Sequence, residues 1–224
     1  MAVRAETVVL VPVKSFDLAK GRLARFLDVD RRRVLARTLA ANVIKASGDL
    51  PTYVVCDNAE VAAWALSRGT GVLWAAVPGL NQSLTRAVSA AVNDGYRRAV
   101  ISHADLPLAT NLTWLADTGP GGRIEGADVV VVPDRHGTGT NVLSIPIGGR
   151  ESFRLQYGVG SCRLHQDEAG RLGWSVEVVA DEQLGWDLDT PEDLEALELR
   201  FGRVTSADAG RTHLPSPDQR QGRP

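Results

Sequence analysis

VVLVPVKSFDLAKGRLAR, residues 8–25, is the stretch that decides the fold. It opens with a short apolar run rich in β-branched residues, residues 8–13, which is typical of a strand buried on both faces. The run leads directly into a loop with three basic residues, Lys14, Lys20 and Arg22. Because α/β proteins bind ligands outside the carboxyl ends of their strands, we expect this loop to grip the phosphates of a nucleoside triphosphate.

The same alternation of strand and helix patterns continues along the chain. Helical spacing of apolar residues predicts helices over residues 30–47, 58–69, 80–95 and 161–172, the last of them capped by Ser161. Short apolar runs predict strands over residues 52–56, 72–76, 98–103, 128–132, 141–147 and 174–179. The alternation indicates an α/β fold with a largely parallel sheet.

Length and composition indicate one ordinary globular domain, which we expect to occupy residues 1–202. The chain has 224 residues, of which 44% are hydrophobic and 23% charged. The tail, residues 203–224, lacks periodic apolar residues and is predicted to be disordered. The net charge of −2 gives no general bias toward nucleic acid. Cys56 and Cys162 form no C-x-x-C pair, so neither a zinc site nor a disulfide framework is indicated.

The chain also shows no sign of a membrane or secretory destination. No apolar run is long enough to span a bilayer, and no signal-peptide core is present. We therefore expect a soluble cytoplasmic protein that contacts neither membrane nor nucleic acid.

One acid follows the strand predicted over residues 98–103. Asp105 comes almost directly after this buried run and stands ahead of an apolar residue and a proline. A carboxylate in such a place often binds a metal, and the alternative is an Asp that caps the next turn. Both interpretations stay open on these residues alone.

A second acidic feature lies in WDLDTPEDL, residues 186–194. Asp187 and Asp189 alternate with apolar residues, and in a strand that alternation puts both carboxylates on one face. Two like charges on one face need a cation or a basic partner to be stable. Thr190 and Asp193 resemble a capping box at a helix start, so Asp193 has a structural role and Asp189 could be an alternative cap.

Three segments of small residues are candidate binding loops. They are GLN at residues 79–81, GTGT at residues 137–140 and GVGS at residues 158–161. Loops rich in backbone amides and hydroxyls can surround phosphate or carboxylate oxygens closely. The alternatives are an ordinary turn for the first and a Gly-rich hairpin for the second. The four histidines show no metal-ligand spacing and are interpreted as structural.

Together these features indicate a Mg²⁺-dependent enzyme that acts on a phosphorylated substrate. Carboxylates from separate strand ends, together with substrate phosphates, are typical Mg²⁺ ligands. The chain has no P-loop, no G-x-G-x-x-G after a strand and no G-x-S-x-G elbow. Spacing and composition do not identify the substrate.

Six motifs, in the same order, resemble the guanylyltransferases of coenzyme F-420 biosynthesis, which transfer GMP to 2-phospho-L-lactate or phosphoenolpyruvate. They are K-S-F-x-x-A-K-x-R-L from Lys14, G-L-N-x-x-L from Gly79, A-D-L-P-L from Ala104, G-T-G-T-N-x-L from Gly137, Y-G-x-G-S-x-x-x-H from Tyr157 and D-L-D-T-P-E-D-L from Asp187. The fourth and fifth motifs are the more discriminating ones. The resemblance covers roughly residues 7–200.

The resemblance implies a fold and a set of site residues. The fold would be a three-layer, Rossmann-like, mixed but mostly parallel sheet of the nucleotide-diphospho-sugar transferase type. By this resemblance, Mg²⁺ would be held by Asp105, Asp187 and Asp189, which would be the catalytic residues. The GTP would meet Lys14, Lys20, Arg22 and Asn81, and the phosphorylated three-carbon acid acceptor would meet Thr140, Gly158 and Ser161.

Several alternatives remain at this stage. The expected acceptor is phosphoenolpyruvate, with 2-phospho-L-lactate and 3-phosphoglycerate as alternatives, since a few atoms distinguish them. A rival is another nucleotidyltransferase, acting on a molybdenum cofactor precursor or a sugar phosphate. A rival of a different class is a non-catalytic nucleotide-binding module. Handover of the product to a downstream transferase and a homodimer are further expectations.

Overall fold

The computed structural model describes residues 6–149 and 151–201. The strands are β1 (Thr7–Pro12), β2 (Thr52–Cys56), β3 (Gly71–Trp74), β4 (Arg98–Ser102), β5 (Val129–Pro133), β6 (Thr140–Pro146) and β7 (Val176–Val178). The α-helices are α1 (Val29–Ala46), α2 (Ala59–Ser67), α3 (Leu80–Asn93), α4 (Ser161–Leu172) and α5 (Pro191–Phe201). Short 3-10 turns occupy Gly21–Leu23 and Thr113–Ala116. The tail predicted to be disordered, residues 203–224, lies outside the described residues.

One seven-stranded sheet, in the order β3-β2-β1-β4-β6-β5-β7, forms the centre of the fold. β1 pairs in parallel with β2 and β4, β2 with β3, and β5 with β7. β6 alone runs antiparallel to its neighbours, β4 and β5, among the described strands. The predicted mixed, mostly parallel sheet is confirmed.

Helices cover both faces of this sheet, which confirms the three-layer arrangement. Val9 and Val11 of β1 pack in one core cluster with Val43 of α1 and with α2. Val8 and Leu10 point to the opposite face, as alternate strand residues do, and pack with α3 and α4. All four β1 residues are fully buried, as the unbroken apolar run predicts. In the described chain, no helix has the length and apolar content needed to cross a membrane.

Strand direction brings the candidate loops to one edge of the sheet. β1 and β4 are parallel with Leu10 opposite Ile101, so the loops that follow these strands leave the sheet at the same edge. β6 is antiparallel to β4 with Val142 opposite Ser102, so β6 begins where β4 ends. The basic loop after β1, the acid after β4 and the small-residue loop before β6 therefore meet at this edge.

Two local predictions at this edge are wrong. Ser161 is the first residue of α4 and not its cap, because the cap position belongs to Gly160, whose left-handed backbone (φ 74°) suits a glycine. Residues 186–189 form an irregular segment and not a strand. A hydrogen bond to the loop after β4 fixes their backbone: the N–H of Leu188 donates to the carbonyl of Asp105 at 3.1 Å.

The start of α5 forms as predicted. The carboxylate of Asp193 accepts a hydrogen bond from the N–H of Thr190 at 2.7 Å, and the Thr190 hydroxyl accepts from the N–H of Asp193 at 3.2 Å. This reciprocal pair is a capping box, which satisfies N–H groups that a helix start leaves unpaired. The structural role of Asp193 is confirmed.

Candidate active site

Lys20 lies at the centre of the candidate site. Its Nζ is 2.6 Å from Oδ2 of Asp105 and 3.1 Å from Oδ1 of Asp189, and its side chain is only 7% exposed. Among the described residues, Lys20 is the one non-glycine with a positive φ, 55°. This conformation costs a residue with a β-carbon about 1–2 kcal/mol. The ion pairs therefore hold a strained turn in place.

Arg22 adds a second positive charge on the solvent side. Its Nη1 is 3.3 Å from Oδ2 of Asp189, and its side chain is 73% exposed. We call Lys20, Arg22, Asp105 and Asp189 the charged cluster. The structure thus joins the basic loop after β1 to one acid after β4 and to another before α5. Each of these acids is more than eighty residues from the loop in the sequence.

Mutual attraction sets two pKa values in the charged cluster. Burial lowers the pKa of Lys20, but the charges of Asp105 and Asp189 outweigh burial and raise it above its ordinary value. Burial likewise raises the pKa of Asp105, and the charges of Lys20 and His103 outweigh this effect and lower it below its ordinary value. The Lys20–Asp105 pair is therefore fully ionised at neutral pH.

Asp187 differs, because no ion pair to it occurs in the described chain. Burial raises its pKa, and the neighbouring carboxylates of Asp105 and Asp189 raise it further. Oδ1 of Asp105 is buried and has no hydrogen-bond partner among the described residues. A bare carboxylate oxygen beside an acid with a raised pKa is an arrangement that a cation would satisfy.

The three acids fit Mg²⁺ by chemistry, although they are not gathered as a ligand cluster. The described residues contain no group of three or more His, Cys, Asp or Glu side chains placed to hold a metal ion. The ammonium of Lys20 supplies the positive charge between Asp105 and Asp189 instead. The role of these acids as metal ligands stays a prediction.

A cleft of about 290 Å³ opens beside the charged cluster. Its walls include Lys14, Lys20, His103, Asp105 and Asp189. Lys14 is exposed there and has no ion pair among the described residues, whereas Lys20 is paired, so the basic loop presents two differently held lysines to the cleft. A larger depression of about 540 Å³ lies against α3 on residues 145–155 and contains none of the predicted site residues. The smaller cleft is the candidate active site, because the charged groups converge in it.

Asn81, at the start of α3, is bonded to the loop that precedes α4. Its Oδ1 accepts from the N–H of Tyr157 at 2.7 Å, and its Nδ2 donates to the carbonyl of Tyr157 at 3.0 Å. These two bonds fix the backbone directly before Gly158. Contact between Asn81 and a nucleotide stays a prediction.

The residues predicted to bind the acceptor gather at the N-terminus of α4. Thr140 begins β6 and Ser161 begins α4, and each is only 2% exposed. Gly158 lies in the exposed loop before α4 with φ 139°, which favours glycine. The N–H of Cys162 donates to the carbonyl of Thr138 at 3.1 Å and so ties the hairpin loop to α4. The small-residue loop is thus a β5–β6 hairpin, and its role in binding stays a prediction.

Residues 7–208 match the family model described as guanylyl transferase, CofC like. The chain belongs to the CofC-like guanylyl transferase family. The family inferred from the six sequence motifs is confirmed, and with it the class of nucleotidyltransferase enzymes.

Relatives in this family are similar along nearly their whole length. A phosphoenolpyruvate guanylyltransferase of Conexibacter woesei is 35% identical over 218 residues, which cover 92% of each chain. A 2-phospho-L-lactate guanylyltransferase of Halorubrum lacusprofundi is 34% identical over 210 residues, covering 91% of this chain and 88% of the relative. The family therefore contains enzymes named for two different acceptors at similar distance from this chain.

Solved structures support the fold. A protein of Desulfovibrio desulfuricans assigned to the nucleotide-diphospho-sugar transferases superposes with a TM-score of 0.69 at 19% identity, covering 91% of this chain and 90% of its own. A nucleotidyl transferase of Methanothermobacter gives a TM-score of 0.59 at 16% identity, and the match covers 87% of this chain and 96% of that structure. At such low identity the similarity establishes the nucleotide-diphospho-sugar transferase fold that the motifs imply.

His165 has a closer relation to the site of this CofC-like chain than the sequence indicates. It is fully buried on α4, and its Nδ1 lies 3.0 Å from Oγ1 of Thr140. We call Thr140 and His165 the neutral pair. Lone histidines are more often structural, so only the spacing of Y-G-x-G-S-x-x-x-H pointed to this residue.

Arg135 is a second residue that sequence reasoning missed. Its Nη2 is 2.5 Å from Oδ1 of Asp193, and its guanidinium lies 4.7 Å from the ring centre of Trp186. Asp193 in turn accepts from the N–H of Asp189 at 2.9 Å. Arg135 therefore links the hairpin loop to both ends of the acidic segment. No local pattern marks it, because its partners lie far along the chain.

Proposed function

We propose that this chain transfers GMP from GTP to phosphoenolpyruvate and releases pyrophosphate. The observation that carries the proposal is that the charged cluster and Thr140 lie at the same sheet edge, where the loop before Thr140 is bonded to the helix that Ser161 begins. Relatives named phosphoenolpyruvate guanylyltransferase, from Conexibacter, Chloroflexus and Sphaerobacter, support this acceptor.

The reaction needs no general base on the protein. An oxygen of the acceptor's phosphate attacks the α-phosphorus of GTP, a new P–O–P bond forms, and the bond between the α-phosphorus and its bridge oxygen to the β-phosphorus breaks. A phosphate monoester has a second pKa of about 6, so the attacking oxygen is largely ionised at neutral pH. Catalysis then consists of positioning and charge neutralisation.

The basic loop meets the triphosphate in this proposal. Lys14 is exposed at the cleft and Arg22 is largely in solvent, so both can reach phosphate oxygens without losing a buried partner. Lys20 keeps a positive charge next to the place where pyrophosphate leaves. Anionic oxygens are strong partners for such groups.

Asp105, Asp187 and Asp189 would hold Mg²⁺. The bare Oδ1 of Asp105 and the raised pKa of Asp187 support this role. When bound, the ion supplies positive charge that offsets the charge of the triphosphate. Removal of Mg²⁺ by a chelator should therefore abolish turnover.

A second candidate acceptor is 2-phospho-L-lactate. Relatives from Halorubrum and Natrialba at 34% and 32% identity carry this acceptor in their names. The two acids share a phosphate and a carboxylate and differ by few atoms, a distinction that pocket shape makes at about 1–3 kcal/mol. In either case we place the product in coenzyme F-420 biosynthesis in the cytoplasm, with handover to a downstream transferase.

The deciding experiment measures pyrophosphate release with GTP, ATP, CTP or UTP paired with phosphoenolpyruvate, 2-phospho-L-lactate or 3-phosphoglycerate. We expect release with GTP and phosphoenolpyruvate together and none when either is omitted. Release with 2-phospho-L-lactate alone would favour the second candidate.

Two further outcomes would overturn the proposed class of reaction. Release only with a molybdopterin or sugar-phosphate acceptor would assign the chain to another nucleotidyltransferase. Binding of GTP without turnover of any acceptor would leave a nucleotide-binding module.

A further inference from the structure

The buried histidine of α4 has a bond at each ring nitrogen. The backbone N–H of Gln156 donates to Nε2 of His165 at 3.1 Å. On the other side of the ring, Nδ1 lies 3.0 Å from Oγ1 of Thr140. The His165 ring is fully enclosed, at 0% exposure, so water does not compete for its two bonds, whereas Thr140 keeps 2% of its surface exposed.

These two bonds determine where the ring hydrogen lies. A backbone N–H can only donate, so Nε2 must be bare in order to accept from Gln156. A neutral imidazole carries one N–H, which is then on Nδ1 and donates to Thr140. Burial lowers the pKa of His165 to about 4, with a further contribution from His103, so the neutral form is present at neutral pH.

The direction of the Thr140 hydroxyl follows from this proton position. Its oxygen accepts from Nδ1 of His165, so the hydroxyl hydrogen must point away from the ring. Among the described residues, this hydroxyl has no other hydrogen-bond partner. Thr140 therefore retains one donor, and a phosphate or a carboxylate is a group that can only accept.

We infer that His165 is a positioning residue that fixes the Thr140 hydroxyl as a hydrogen-bond donor to the phosphorylated acid acceptor. This inference rests on the proposed function, which places the acceptor at Thr140. An alternative tautomer would let Thr140 donate to the ring and would turn a lone pair, and not a hydrogen, toward the anion.

The surroundings hold the ring in this orientation. The ring of Tyr157 packs edge-on against His165, with ring centres 4.9 Å apart, and Phe153 lies 5.9 Å away on the ring-centre distance. Asn81 fixes the backbone of Tyr157 from α3. The neutral pair is thus built into the packed layer between α3 and α4, so the donor direction is set before any acceptor arrives.

Two variants at position 165 distinguish the hydrogen bond made by Nδ1 from the one made by Nε2. In His165→Asn the amide can still donate near the place of Nδ1, but the acceptor for Gln156 is lost. In His165→Gln the amide can still accept near the place of Nε2, but the donor to Thr140 is lost. We expect His165→Gln to raise the acceptor KM about tenfold, the size of one hydrogen bond to a charged group, and His165→Asn to raise it less than about threefold. The KM for GTP should stay unchanged in both.

A double variant tests whether His165 acts through Thr140. Thr140→Val keeps the shape and removes the hydroxyl, so it should raise the acceptor KM by itself. Adding His165→Gln to Thr140→Val should then raise it no further. A purely structural role would predict equal effects of the Asn and Gln variants, or an additive effect in the double variant, and either result overturns the inference.

The proton position itself can be read without turnover. Long-range ¹H–¹⁵N NMR of the wild-type protein should show Nδ1 of His165 protonated and Nε2 bare at neutral pH. A hydrogen on Nε2 overturns the inference even if the enzyme is active. If wild-type protein released no pyrophosphate with any acceptor, the proposed function would fail, and phosphoenolpyruvate titrations of wild type and His165→Gln would then decide the inference by comparing acceptor affinity.

Discussion

The charged cluster and the neutral pair lie at the same sheet edge and are built in opposite ways. In the charged cluster, Lys20 and Asp105 keep their charges by mutual attraction. In the neutral pair, burial keeps His165 uncharged, and its ring gives Thr140 one hydrogen bond of fixed direction. Ion pairs at the mouth of a cleft can change partners when a charged ligand arrives, whereas a buried neutral bond is costly to break. In the proposed function, the charged cluster would then neutralise charge and the neutral pair would orient the acceptor.

The largest effect is expected from Asp187, the acid of the candidate site that has no ion pair in the described part of the chain. Asp187→Asn keeps the side-chain shape and removes the charge, so pyrophosphate release should fall roughly 10²–10³-fold, as for the loss of one preorganised electrostatic contact. Asp167→Asn is the matched control. Among the described residues, the ion pair of Asp167 is with Arg163 on the surface of α4, so this variant should leave the rate unchanged. A folded Asp187→Asn protein with near-full activity would remove Asp187 from the site.

Burial of the His165 ring in the neutral pair should make the unfolding free energy depend on pH. The pKa of His165 is lowered from 6.5 to about 4 in the folded protein, mainly by burial. Such a group contributes stability that is fully present above its unfolded pKa and is lost as pH falls toward its folded pKa. Wild-type protein should therefore lose roughly 3 kcal/mol of unfolding free energy from this group between pH 6.5 and 4, at about 1.4 kcal/mol per pKa unit.

His165→Asn tests this prediction, because the variant lacks the titrating ring. Its Asp and Glu side chains are those of the wild type, so their titration contributes equally to both proteins. Denaturant unfolding at a series of pH values measures both proteins, and the variant's curve should be flatter over that window. Parallel curves would show that His165 titrates alike in the folded and unfolded chains, which would contradict its burial as a neutral group.

The charged cluster should respond less strongly to the loss of its lysine. Lys20→Met keeps the β-carbon and the strained turn but removes the counter-charge of Asp105 and Asp189, which are 24% and 44% exposed. We expect the unfolding free energy to fall by about 2 kcal/mol, less than for a fully buried pair. Lys14→Met, in the same loop but exposed, should change it by less than about 0.5 kcal/mol. Equal urea midpoints for the two variants would mean that solvent already screens the pair.

The smallest effect on stability is expected at Arg135, which links the hairpin loop before Thr140 to the acidic segment, residues 186–194. Arg135→Ala removes the stacking on Trp186 and the ion pair with Asp193, so the unfolding free energy should fall by about 1 kcal/mol. Arg163→Ala is the control, because its pair with Asp167 is exposed and of little worth. If both variants unfold at the same denaturant concentration, Arg135 does not brace the acidic segment.

The elements of the fold follow from local patterns. The buried run of β1, the periodic apolar face of α1 and the cap at Asn58 form as predicted, because each depends on residues a few positions apart. The strand predicted from the alternation at residues 186–189 is wrong, because four alternating residues are too few to specify a strand. There, the backbone donors are used by Asp193 and by the carbonyl of Asp105.

The candidate site was only partly predictable, for a reason of chain distance. The residue types after β1, after β4 and in the D-x-D segment could be singled out one by one. That Lys20 pairs with Asp105 and Asp189 could not, since those partners are 85 and 169 residues away. The tautomer of His165 also depends on a backbone N–H and a hydroxyl that only the folded chain brings to its ring.

The long reach of Lys20 has a consequence for protein synthesis. A ribosome releases the basic loop first, Asp105 midway and Asp189 near the end of the described chain. A product that stops before residue 187 retains all three candidate binding loops and yet lacks two of the three candidate metal ligands. If the proposed metal ligands are right, catalytic competence requires translation past residue 189, and shorter products would bind ligands without turning them over.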